Sequence, residues 1–166
     1  VLDSRAGLGD GRLEKRCQEA ARLGVSSQRA RREVLEKHVG PQHQGVVASA
    51  RWRKIGDDNA LRTHLENLDN TPLLLILDGV TDPHNLGACL RSADASGVDA
   101  VVVPRRHACG LTPVVCRTAV GAAESVPYFE VGNLVRAMGA VKEKGFWLGG
   151  TALAGNSQSV VSVEAK

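Results

Sequence analysis

At 166 residues and 43% hydrophobic composition, the chain can bury one sizeable core, and its length fits one domain or a domain plus a fragment. No apolar run approaches the roughly 20 residues that cross a bilayer, and the opening residues, with Asp3, Arg5 and Asp10, are not a signal peptide, so the expectation is a cytoplasmic protein without a membrane partner. The net charge of +3 conceals an asymmetry, 12 Lys+Arg against 6 Asp+Glu in residues 1–56 and 9 against 12 in the remainder, which makes the N-terminal third the polyanion-facing part.

In chain order, residues 11–23 and 27–39 read as two helices, with Gly24 ending the first and Ser26 or Ser27 capping the second. Arg29, Arg31, Arg32 and Lys37 fall on that second helix, where Glu33 and Glu36 are local partners and a solvated face is the plainer reading. Residues 44–50 read as a strand, and Arg51, Arg53 and Lys54 then flank Trp52 in a polar stretch. We expect three parts: an N-terminal domain over 1–51, a linker over 52–70 with a short helix near 58–67, and a second domain over 71–166.

After Pro72 short apolar runs alternate with helical stretches: strand 73–77, helix 83–96, strand 100–103, helix 113–120, strand 126–129, helix 132–144 and strand 146–151. This alternation predicts an α/β fold, a parallel sheet with helices on both faces. Ligands of such sheets sit beyond the carboxyl ends of the strands, here residues 78–85 and 151–155.

The most informative stretch is 75–93. Leu73 to Leu77 is a continuous apolar run, as in a strand covered on both faces. It ends at Asp78-Gly79, and Asp82-Pro83 then supplies an N-cap and a first-turn proline. Leu86, Cys89, Leu90, Ala93 and Gly97 have the spacing of one buried helical face, with Asn85, Gly87 and Arg91 off it. An amide and a guanidinium beside a helix start can hold a phosphate. The residues alone leave a plainer reading open: capping by Asp82, an Arg91–Asp94 pair at i, i+3, and Asn85 as a turn residue. No Gly-x-Gly-x-x-Gly and no Gly-Lys-Ser/Thr follows the strand, which argues against a dinucleotide fingerprint and a P-loop.

The pattern Asp78-x-x-x-x-Pro83-x-Asn85-x-Gly87-Ala88-x-x-Arg91-x-Ala93 resembles motif 1 of the SpoU/TrmH class of RNA 2'-O-ribose methyltransferases, in the SPOUT superfamily. Gly121-Ala122-Ala123-Glu124-Ser125-Val126-Pro127 and Gly150-Thr151-Ala152 resemble later blocks of that class, and His43-Gln44-Gly45-Val46-Val47-Ala48 resembles the end of its N-terminal RNA-binding domain. The four blocks keep their order over about three quarters of the chain. They are most similar to the branch that methylates a guanosine ribose in 23S rRNA. The resemblance implies a SPOUT α/β-knot domain preceded by a partial α/β RNA-binding domain. It implies S-adenosylmethionine as methyl donor, 23S rRNA as partner, and a homodimer in the full-length form.

The resemblance assigns Asn85 and Arg91 to catalysis at the target nucleotide, and Thr151, Ala152 and Leu153 to the rim of the cofactor pocket. With it, Arg29, Arg32, Arg51, Arg53 and Lys54 become RNA contacts; Glu124 either bonds a nearby loop or faces RNA. Aligning a 2'-hydroxyl with a methyl sulfonium and stabilising the developing alkoxide is a task of positioning and electrostatics. Arg91 suits it as a cation, since guanidinium keeps its proton above about pH 12 and is a poor base. The family continues past Lys166 with two motifs that close its trefoil knot and supply most cofactor contacts. The chain is therefore expected to be a fragment without the knot-closing segment, inactive alone.

Cys17, Cys89, Cys109 and Cys116 have no Cys-x-x-Cys spacing, and the histidines have no partners at catalytic spacing, so neither a metal nor a hydrolytic set is expected. With five aromatics in all, a base-stacking platform gives way to phosphate contacts and shape. Two other readings stay open: a non-catalytic RNA-binding fragment or pseudoenzyme, and a tRNA methyltransferase of the same class. An unrelated nucleotide-binding domain is disfavoured by the missing phosphate fingerprints.

Overall fold

The computed structural model describes residues 2–3, 11–41, 43, 45–49, 55–68 and 71–151. The chain forms two compact units, Val1–Trp52 and Arg53–Lys166.

In the first unit, helix α1 (Gly11–Arg22) ends at Gly24, whose φ of 74° suits a residue without a Cβ. Strands β1 (Leu2–Asp3) and β2 (Arg29–Ala30) pair in parallel, and helix α2 (Arg32–Val39) follows. The helix expected from residue 27 therefore starts five residues later. Pairing with β1 holds Arg29 and Ala30 extended, and Arg31, with no side-chain cap bond, precedes the first turn in place of Ser26 or Ser27. Leu35 is fully buried. The strand expected over 44–50 is absent among the described residues: Val46 makes a single bridge, and Gly45 at φ 84° turns the chain. His43 is buried there; its Nδ1 accepts from the Gly45 N–H at 2.9 Å, and its Nε2 has no partner among the described residues.

The second unit is a three-stranded parallel sheet in the order β3 (Leu74–Ile76), β4 (Ala100–Pro104), β5 (Tyr128–Val131). Strand β4 is central and buried from Ala100 to Val103. Because side chains alternate along a strand, Val101 and Val103 pack with helices α4 (Pro83–Ala95), α5 (Pro113–Ala119) and α6 (Ala122–Ser125). Ala100 and Val102 pack on the opposite face with α3 (Asp58–Glu66) and α7 (Leu134–Glu143). The sheet is thus covered on both faces, as the continuous apolar runs predict.

Helix α3, expected within a connecting stretch, buries Leu61 and Leu65 against the sheet. Asp57 caps it, accepting from the N–H groups of Asn59 and Ala60. The residue before that cap, Gly56, bridges to Phe129 at the edge of β5, where a Cβ would drive into the Phe129 ring. Asp58 accepts from the Gly132 N–H at 3.0 Å and pairs with Arg136 at 3.4 Å, tying α3 to the start of α7.

Three further boundaries differ from expectation. Strand β5 starts at Tyr128 because Val126 still closes α6, its N–H bonding the Ala122 carbonyl. Helix α7 starts at Leu134 because the Asn133 side chain caps it at the Arg136 N–H. Residues 146–151 form no strand. Phe146 packs against the core, but Trp147 is 86% exposed and the run pairs with no strand among the described residues.

At the amino end of the sheet, Asp99 clasps Leu73. Its N–H donates to the Leu73 carbonyl at 2.8 Å, and its carboxylate accepts from the Leu73 N–H at 2.8 Å. The Asp99 carbonyl in turn accepts from His64 Nε2 of α3 at 3.1 Å, a geometry that requires the proton on Nε2.

Candidate active site

Strand β3 gives way to Leu77, whose N–H bonds the Val102 carbonyl, and the chain then turns at Gly79 with φ 70°. Asp82 caps α4: its Oδ1 accepts from the Asn85 N–H at 2.8 Å, and Pro83 occupies the first turn, where its missing N–H leaves no bond unmade. The far end closes by a Schellman arrangement. The Val98 N–H reaches the Ala93 carbonyl at 2.9 Å and the Gly97 N–H the Asp94 carbonyl at 3.2 Å, with Gly97 at φ 67°. Gly97, expected on the buried stripe, is the exposed helix stop.

Helix α4 buries Leu86, Leu90 and Ala93 as the periodicity predicts, and it also buries Gly87. A Cβ at Gly87 would stand 2.6 Å from the Thr118 Cβ and 2.9 Å from the Val115 carbonyl. Gly87 is therefore the point of closest approach between α4 and α5, not part of an open face. Thr118 Oγ1 also lies 3.4 Å from His84 Nδ1.

Asn85 and Arg91 are both exposed on α4. Six residues at about 100° each put them about 120° apart around the axis and about 9 Å apart along it. Arg91 instead shares its outward face with His84, two turns earlier. The side chain of Arg91 has no hydrogen bond or ion pair among the described residues. Asp94, its possible i, i+3 partner, accepts from the Ser125 hydroxyl of α6 at 2.7 Å.

The other site residues are dispersed. Glu124 is exposed on α6, and its carboxylate adds to burial in raising the Cys116 thiol pKa. Arg29 is exposed on β2, and Arg32 pairs with Glu36 at 2.9 Å, the local partnership that its spacing allows. Thr151 is exposed in the extended stretch after Gly149 and Gly150, where open space surrounds both glycines. Arg51, Arg53, Lys54, Ala152 and Leu153 lie outside the described residues. One exposed threonine is not a nucleoside pocket, so the described rim offers no cradle for a methyl donor. Among the described residues no group of three or more His, Cys, Asp or Glu is placed to hold a metal ion, and no helix is long and apolar enough to cross a membrane.

Arg105 and Arg106, which follow β4 directly, belong to no motif of the sequence. The carboxyl-end rule that draws attention to 78–85 applies to them equally.

A family model described as the SpoU rRNA Methylase family matches residues 72–166. The chain is 51% identical over 147 residues to 23S rRNA (guanosine-2'-O-)-methyltransferase RlmB of Shewanella oneidensis, covering 88% of this chain and 59% of that one. It is 50% identical over 147 residues to the Vibrio cholerae protein of the same name, with the same coverage. The chain thus spans about 59% of the length of these relatives. In structure it is similar to the SpoU methyltransferase AviRb from Streptomyces viridochromogenes, with a TM-score of 0.61 at 23% identity, covering 86% of this chain and 49% of that one. The AviRb complex with the cofactor AdoMet gives a TM-score of 0.56 at 20% identity, covering 86% and 51%. These likenesses show the fold. The chain belongs to the SpoU rRNA methylase family.

Proposed function

We propose that this chain is the RNA-facing part of a methyltransferase that transfers a methyl group from S-adenosylmethionine to the ribose 2'-hydroxyl of a guanosine in 23S rRNA. The relatives named for that reaction, about half identical over 88% of the chain, support the substrate, and the AviRb complex with AdoMet supports the donor. The observation that carries the reading is Arg91: an exposed cation without a carboxylate partner among the described residues, on the helix that leaves the carboxyl end of β3.

S-adenosylmethionine, when bound, supplies the electrophilic methyl group. Arg91 holds a phosphate of the target nucleotide and stabilises the negative charge growing on the ribose oxygen, as a fixed cation rather than a base. Asn85, in the first turn of α4, orients the ribose with its side-chain amide. Arg29, Arg32, Arg51, Arg53 and Lys54 add grip on the RNA backbone, Glu124 borders the RNA, and Thr151, Ala152 and Leu153 border the donor. The protein works in the cytoplasm as a homodimer and needs no metal.

The test is transfer of radiolabelled methyl from S-adenosylmethionine to unmodified 23S rRNA by the protein that carries this chain, with the label mapped by alkaline hydrolysis. A 2'-O-methylated guanosine that resists cleavage is expected. Label on a base, or on tRNA alone, overturns the reading.

A further inference from the structure

We propose that the turn Arg105-Arg106-His107 is a second phosphate-contacting element of this surface, on the loop next to the start of α4. The inference rests on the RNA reading above.

All three side chains are exposed, and none makes a hydrogen bond or ion pair among the described residues. Elsewhere in this unit Arg136 and Lys144 each reach a carboxylate, Asp58 and Glu66. Acids lie on the adjoining segments too. Asp78 and Asp82 stand on the neighbouring loop, and a Cβ at Gly110 would lie 3.5 Å from Glu130 Oε1. Even so, Arg105 and Arg106 pair with none of them.

The backbone that presents them is fixed at both ends. The Arg105 N–H donates to the Val131 carbonyl of β5 at 2.8 Å, extending the sheet by one rung. The Cys109 N–H donates to the Val80 carbonyl at 2.8 Å, two residues before the cap of α4. Between these anchors the chain reverses at His107, a non-glycine residue at φ 59°. A left-handed residue at an exposed loop tip costs free energy, and such conformations gather at ligand contacts. Paired strands are about 4.8 Å apart. The carboxyl ends of β3 and β4 therefore bring this turn and the start of α4 side by side, at the edge where ligands of parallel sheets bind. A pre-positioned pair of guanidinium groups suits the backbone phosphates of an RNA strand lying along that edge. It fixes the register of the strand and reads no base.

The experiment is filter binding of a radiolabelled 23S rRNA transcript across a KCl titration, for the protein carrying this chain and for its R105A/R106A and R105K/R106K forms. Loss of two phosphate contacts lowers the slope of log affinity against log salt by about 1.5. The alanine pair is expected to show that loss and the lysine pair to keep the parent slope. Melting temperatures should match, since neither side chain has a partner among the described residues to lose. A steep parent slope that the alanine pair leaves unchanged overturns the inference, as does a lysine pair as shallow as the alanine pair. A parent protein that binds with no salt dependence overturns the RNA reading itself.

Discussion

The Ser125 hydroxyl donates to the Asp94 carboxylate across 2.7 Å, joining α6 to α4. It holds one oxygen of the acid three residues beyond Arg91, and among the described residues that guanidinium makes no ion pair with it.

Ser125→Ala should therefore act twice. Loss of the bond lowers stability by about 1 kcal/mol, read as a shift in the urea midpoint. The released Asp94 turns to Arg91, and RNA affinity falls severalfold in filter binding. Adding Asp94→Asn should restore affinity but not stability; a double variant as weak as the single one would refute the coupling.

Gly87→Ala removes a helix-breaking glycine, a gain of about 1 kcal/mol in an isolated helix. Here the new Cβ would meet the Thr118 Cβ and the Val115 carbonyl of α5. Overpacking of this kind costs about 1–3 kcal/mol, so chemical denaturation should show a net loss of stability. An increase would mean that α4 and α5 separate freely.

The Asp58 carboxylate accepts from the Gly132 N–H and pairs with Arg136, which holds its pKa below the ordinary 3.8. A folded-state pKa below the unfolded one gives stability that is full above the unfolded value and lost as pH falls through the folded one. Asp58→Asn should thus destabilise the protein at neutral pH and flatten its acid unfolding profile below about pH 4. Parallel profiles for the two forms would count against this assignment.

Burial pushes the Tyr128 hydroxyl far above its ordinary value of 10, with Glu130 and Cys109 adding to the shift. Its contribution is complete below the unfolded pKa and is lost as pH rises from there toward the folded one. Tyr128→Phe should abolish part of the alkaline destabilisation. Near neutrality it should cost well under 1 kcal/mol, because the bond to the Cys109 carbonyl is long at 3.5 Å. Urea midpoints measured at neutral pH and above pH 10 decide it.

Local chemistry was readable in the sequence wherever the controlling residues are neighbours. Asp82 and Pro83 announce the start of α4, and Leu73 to Leu77 announce β3, although as an edge strand it is only half-buried, with Leu74 and Ile76 packed on one face, Leu75 and Leu77 on the other, and Leu73 exposed. Gly87 was misread because the residues that crowd it, Val115 and Thr118, lie a helix away and about 30 positions downstream. Gly97 continues the apolar spacing of α4 yet lies past its end, since the Schellman bonds are made by backbone groups that no side-chain pattern reports. The run at 146–151 looks like a strand by composition, but a strand exists only where another pairs with it. The helix expected from residue 27 shows the converse, with two residues drawn into a ladder by a partner at the far end of the unit. At the site, the exposure of Asn85 and Arg91 followed from periodicity. That Asp94 bonds Ser125 was not readable, because the two lie 31 positions apart in the chain.

The clasp between Leu73 and Asp99 fixes where the second unit can yield. Two bonds there, reinforced by His64, close the amino end of the β3–α4–β4 crossover, while among the described residues one backbone bond, from Cys109 to Val80, joins the two loops at the carboxyl end. Hydrogen exchange should therefore reach the amides of the carboxyl-end loops before those of the clasp and of the core beneath it.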